Sequence, residues 1–329
     1  MKNLLRRRLS MAIATALLSM ASPTLALASE KFPSRAVTFV VPYAPGGPAD
    51  VFTRALSQEL EKLWRVPVVV DNKPGAAEVV GAQRVIASAP DGHTVFVGGA
   101  LAFTLNRLTF DKLPYDPDKL LPISRLVHFN LALVVRGDTA AANLNEFVAL
   151  SRRGQRLHFG SAGGQGGQVH MAYLDLTHDT GMALDFIPYN GLAPVMQDLL
   201  GGRVDTTLAG VAPSRPHLES GRMRALAVGG SARSKLMPDV PTFRELGYPN
   251  VNASFYSALA VPAGTPAGVV DRLVLDVRAV LQSPEFAQRH LEPAAAELVA
   301  DSPAEFAAYL ARERTHLAAR LQSAQRARP

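Results

Sequence analysis

The chain has 329 residues, enough for two domains of ordinary size. It has no cysteine, which excludes disulfides, thiolate catalysis, cysteine metal sites and a lipid-anchored lipoprotein. Its formal charge of +6 sits at the two ends, and the body between them is slightly acidic, which excludes an electrostatic nucleic-acid binder.

The first 28 residues carry four positive charges and no acid. Lys2 and Arg6-Arg7-Arg8 precede a short apolar run from Leu9 to Met20, and Ala26-Leu27-Ala28 is a small-residue cleavage site. This is a secretory signal peptide, and its core is too short to span a bilayer. The mature chain is expected to begin at Ser29 and to be soluble in the periplasm. The adjacent arginines leave ordinary and twin-arginine export both open.

Residues 37–41 are β-branched and apolar, as a buried parallel strand should be. Pro42 and Pro45 stop the ladder because proline has no N–H to donate. Gly46-Gly47 permits a sharp turn and a close approach to the backbone. A helix over 50–64 follows, with Val51, Leu56, Leu60 and Leu63 near helical spacing. The free N–H groups at its start make a seat for an anion. A strand at 66–70, a helix at 76–89 and a strand at 94–97 continue a β-α-β-α-β rhythm, which implies a parallel sheet covered by helices. Residues 113–122 read as a surface loop, and 126–135 as a strand crossing into a second lobe.

The second lobe repeats the pattern. A helix at 144–152 leads to a strand at 157–161, a Gly-rich loop over 162–167 and a helix from Gln168. This corner is a second candidate anion seat, or an ordinary turn like the first. Strands at 184–188, 204–208 and 225–228 follow, with a helix at 193–200 closed by Gly201-Gly202. A strand at 254–261 is the return crossing. Helices at 266–282 and from Pro303 complete the chain.

Catalytic and cofactor motifs are missing. There is no G-x-x-x-x-G-K-[ST], no clean G-x-G-x-x-G opening a helix, no G-x-S-x-G around Ser161 and no H-E-x-x-H. No catalytic residue, cofactor or metal is therefore expected. His170 reads as a capping or packing residue. Asp50 either contacts a ligand or satisfies local N–H groups, and Asp205 is either a cleft residue or a strand-end hydrogen bonder.

An ordered set of short motifs covers nearly all of the mature chain. It comprises 40–47 with Asp50, Asp71-Asn72-Lys73-Pro74-Gly75-Ala76, Ala89-Pro90-Asp91-Gly92 and Leu113-Pro114-Tyr115-Asp116-Pro117. It continues with Gly160-Ser161, His170, Pro188-Tyr189 with Gly191, 199–202 with Asp205, 238–242 and 262–266. The set resembles the Bug family, the periplasmic receptors of tripartite tricarboxylate transporters. That resemblance implies an α/β, two-lobed periplasmic-binding-protein fold with a cleft between lobes joined by two crossing segments. The lobes are expected at 29–128 with 253–329, and at 129–252. The implied function is an extracytoplasmic solute-binding receptor that delivers a small carboxylate to the membrane subunits of a tripartite transporter. A sensing receptor feeding a signalling partner and an enzyme acting on a small acid are the alternatives. A monomer is expected.

The candidate ligand contacts are Tyr43, Ala44, Gly46, Gly47, Asp50 and Glu78 on one side of the cleft. On the other they are Ser161, Ala162, Gly166, Gly167, His170, Tyr189, Gly191 and Asp205. The chain departs from the family pattern at Pro48, where a hydroxyl residue is usual, and at Glu78, where glycine is usual. Glu78 either caps its own helix start or points into the cleft against a ligand carboxylate.

Overall fold

The computed structural model describes residues 32–154, 156–162, 167–189 and 191–326. The expected signal peptide and Gly166 lie outside the described residues.

Among these residues ten strands join in one curled sheet. In the first half β1 (Val37–Val41) lies between β2 (Val68–Asn72) and β3 (Thr94–Gly98), all parallel. In the second half β5 (Leu157–Ala162) lies between β6 (Leu184–Tyr189) and β7 (Thr206–Gly210), again parallel. The long β4 (Leu120–Arg136) and β9 (Ser254–Pro262) run antiparallel through the centre. Up to Asn130, β4 pairs with β9; from Leu131 it pairs with β7. From Ala132 it also pairs with β8 (Met223–Val228). Two strands therefore connect two α/β lobes.

Helix α1 (Pro48–Trp64) covers the first lobe. It buries Phe52, Leu56, Leu60 and Trp64 at strict four-residue spacing, while Val51 and Leu63 are exposed. Leu56 and Leu60 thus face the core as expected, while at the two ends Phe52 and Trp64 take the places expected for Val51 and Leu63. Each fully buried residue such as Leu56 or Leu60 contributes roughly 1.5–3 kcal/mol. Val37, Phe39 and Val41 pack beneath it, with α8 (Ala267–Leu281) in the same core. The second lobe has its own core, around Phe147 of α4 (Leu144–Arg152), Phe159 and Leu176 of α5 (Gln168–Thr180). The last helix, α10 (Pro303–Arg326), spans the lobes. Its Phe306 and Leu317 share a cluster with Met171, and its Arg320 donates to Asp175 at 2.8 Å and Asp179 at 2.9 Å.

Two expected elements differ, each for a local reason. The helix placed at 76–89 is α2 (Val79–Ile86), because Ala76, Ala77 and Glu78 all take positive φ angles. β4 begins six residues before the expected strand; Pro122 sits at a register shift, where its missing N–H is tolerated. A further helix, α7 (Val211–Glu219), follows β7 and accommodates Pro213 in its first turn and Pro216 inside it. Its neighbour α6 (Leu192–Leu200) lies close to the expected place.

Candidate functional site

A cavity of about 510 Å³ lies where the two lobes meet. Gly46, Pro48 and Val51 line it from the first lobe. Ala162, Val169, Leu192, Gly210 and Val211 line it from the second, and Phe129, Leu131 and Phe255 come from the crossing strands. These residues sit at the carboxyl ends of parallel strands, where open α/β sheets place their ligands.

Four helices begin at this cavity: α1, α5, α6 and α7. Their N-caps are Gly47, Gly167, Gly191 and Gly210, and none has a side-chain cap. Away from the cavity the caps are mixed: Asn143 caps α4 and Ser302 accepts from the Glu305 N–H at the start of α10, whereas α2 and α8 begin at Glu78 and Pro266 without a side-chain cap. A glycine cap leaves the first-turn N–H groups open, save at Pro48, Pro194 and Pro213, which have none, and the helix dipole makes that end favour an anion. Four such ends converge on a cavity that has no lysine, arginine, aspartate or glutamate among its described lining residues. The arrangement suits a carboxylate held by backbone donors.

The expected contacts fall into three groups. Gly46, Gly47, Ala162, Gly167 and Gly191 stand at or beside the cavity. Ala44 lies on the exposed loop before α1. Ser161 is fully buried one residue behind Ala162, with no partner for its hydroxyl.

A second group is taken up by the fold. The Asp50 carboxylate accepts from the Gly46 N–H at 2.9 Å, Asn72 at 2.9 Å and Arg54 at 3.0 Å. Burial pushes its pKa up, but these donors outweigh burial and hold it below the usual carboxylate value. Asp50 therefore fixes the Gly46-Gly47 loop from behind. His170 packs its ring against Phe186 at 4.5 Å and Tyr173 at 6.1 Å. Tyr189 donates to Asp198 at 2.8 Å.

Asp205 stands apart, and the expectation of a cleft contact gives way. It precedes β7 at the end opposite Gly210, where it accepts from the His158 N–H at 2.7 Å. Five residues of strand separate it from the cavity end, about 16 Å at ~3.3 Å per residue.

Glu78 follows neither expected course. Its backbone caps α2, yet its side chain turns inward and is 2 % exposed. One carboxylate oxygen accepts from the N–H groups of Gly99 and Ala102, each at 3.1 Å, in the corner after β3. The other accepts from the Tyr43 hydroxyl. Burial pushes the Glu78 carboxyl up to about 7, against the opposing pull of these three donors. Burial, then the nearby Glu78, pushes Tyr43 well above its usual value. The anchor matters because Ala76, Ala77 and Glu78 hold left-handed φ angles of 45°, 54° and 71°. Such a conformation costs roughly 1–2 kcal/mol per non-glycine residue. Asn106 secures the same turn by donating to the Ala77 carbonyl at 2.7 Å.

Sequence reasoning missed Gly210 and the wall residues Val51, Val169, Leu192 and Val211. Gly210 had a readable signal, since a glycine stands between a strand and a helix start there, as Gly46-Gly47 does after β1. The prolines that follow masked it.

The comparisons agree with this geometry. A family model described as "Tripartite tricarboxylate transporter family receptor" matches residues 52–322. A UPF0065 protein of Bordetella bronchiseptica is 32% identical over 313 residues, covering 95% of this chain and 92% of that protein. MatC of Rhodopseudomonas palustris, solved with bound malate, is 30% identical with a TM-score of 0.74, covering 88% of this chain and 99% of that one. Rpa4515 of R. palustris, solved with adipate, is 28% identical with a TM-score of 0.79, covering 89% of this chain and 98% of that one. The family model spans most of the chain, and the relatives match it in sequence and fold over nearly their whole length: the chain belongs to the family of tripartite tricarboxylate transporter receptors.

Proposed function

We propose that the chain is a periplasmic receptor that binds a small carboxylate between its lobes and presents it to the membrane subunits of a tripartite transporter. The carrying observation is the convergence of four glycine-capped helix starts on one interlobe cavity. Each start contributes N–H donors and a favourable dipole without a charged side chain. The malate and adipate in the two related structures support the same class of ligand. Export follows from the N-terminal pattern, with cleavage after Ala28. A binding role rather than catalysis fits a lining whose one titratable side chain among the described residues is His290.

The test is a thermal-shift and calorimetric screen of the mature protein with mono-, di- and tricarboxylates. A ligand that binds only the folded form raises its melting temperature. One gripped by both lobes also favours the closed arrangement. At least one carboxylate is expected to raise the melting temperature and reduce the radius of gyration in small-angle scattering. Binding only of uncharged sugars or cationic solutes, or turnover of a carboxylate, would sink the reading.

A further inference from the structure

The cavity wall constrains the body of the ligand as well as its charged end. Between the helix starts the wall is built from Val51, Phe52, Phe129, Leu192, Leu208 and Val211. Among the described residues two lining side chains carry polar atoms. Asn130 donates to Glu297 at 2.5 Å while its buried carbonyl oxygen has no partner among the described residues, and His290 packs its ring on Phe286 at 4.9 Å. The first lobe has one other set of donors at this end of its sheet, the N–H groups of Gly99 and Ala102. The Glu78 carboxylate already occupies them. In the second lobe the corresponding corner after β7 is open, because Gly210 caps α7 without a side-chain bond. Among the described residues the open donors therefore lie chiefly at the helix starts, and the wall between them is mostly apolar.

Building on the carboxylate reading above, we propose that the ligand is a carboxylate with an unsubstituted apolar body, alkyl or aryl. Its charged end meets the helix starts and its body lies on the Leu192–Val211 wall. A hydroxyl or ammonium lying on Leu192, Leu208 or Val211 would leave water for side chains that offer it no partner, and a buried polar group without a partner is costly. A pocket of this kind also gains from each methylene it covers.

Three pairs of acids that differ by one hydroxyl placed away from the carboxylate test the proposal: hexanoate and 6-hydroxyhexanoate, phenylacetate and 4-hydroxyphenylacetate, adipate and 3-hydroxyadipate. Calorimetry is expected to show the unhydroxylated member binding at least ten-fold more tightly in every pair that binds. A hydroxylated member binding equally or more tightly overturns the inference. So does binding of malate or citrate with none of the three unsubstituted acids. Either result leaves the carboxylate reading standing, whereas silence from every carboxylate overturns both. Leu192 is half-exposed at the start of α6, so the fold should tolerate Leu192→Asn. That amide is expected to narrow the preference within a pair several-fold. An unchanged preference overturns the placement of the ligand body on this wall.

Discussion

Gly47→Asp is expected to abolish carboxylate binding while leaving the fold as stable as before. Gly47 caps α1 at φ −75° and ψ 165°, a conformation that an aspartate cap adopts without strain. A Cβ added there would meet only the Ala44 carbonyl, at 3.7 Å. The new carboxylate would accept the first-turn N–H groups itself and gain about 0.5–1 kcal/mol from capping and the dipole. Repulsion from Asp50, three residues on, offsets much of that gain. A ligand carboxylate would lose charge-assisted donors worth about 1.5–3 kcal/mol each and meet like charge in their place. The expected loss is roughly 3 kcal/mol, or more than about a hundred-fold in affinity. Calorimetry gives the affinity, and a melting curve on the same sample shows that the fold is intact. Wild-type affinity in a folded variant would assign this corner to structure alone.

Glu78→Gln is expected to remove a large pH dependence of stability. The carboxyl rises from its ordinary 4.5 to about 7 on folding, chiefly because the site is fully buried. The folded protein therefore holds this proton more tightly than the unfolded chain does. The resulting stabilisation is complete below pH 4.5 and is lost as pH rises through about 7. A carboxyl shifted that far accounts for about 3 kcal/mol. Glutamine resembles the protonated form: its carbonyl can accept from Gly99 and Ala102, and its amide can face the Tyr43 oxygen. The difference in stability between the variant and wild type should move by about 3 kcal/mol in the variant's favour between pH 4.5 and pH 8. Glu313, which burial also pushes up, acts alike in both proteins and cancels in the comparison. Urea unfolding at the two pH values gives the answer, and parallel pH profiles would refute the burial account.

Some of the site was legible because it depends on neighbours in sequence. Gly47 and Gly167 each follow a buried strand and precede an amphipathic helix, so strand, turn and helix start lie within a dozen residues. A corner of that kind carries its conformation with it. The same locality made Asp50 ambiguous. An aspartate in a first turn satisfies local donors or meets a ligand, and only the arrival of Asn72 from β2 decides for the former. Glu78 was illegible for the opposite reason. Its partners Gly99 and Ala102 are more than twenty residues away, and no pattern in the sequence says that a left-handed turn will aim a carboxylate at them.

By itself the sequence determined the two-lobed α/β architecture, the alternation of strands and helices, and the two Gly-rich corners. Hydrophobic periodicity, proline and glycine act over a few residues, and an ordered set of motifs adds to them. Only the tertiary structure decided which helix starts share a cavity, that Gly210 joins them, and that Asp205 lies at the wrong end of its strand. It also decided that Val51 faces the ligand space rather than the core and that Glu78 fills a donor pair from within. Those outcomes depend on which strand ends the sheet brings together, and sheet order is a property of long-range pairing that no local pattern encodes.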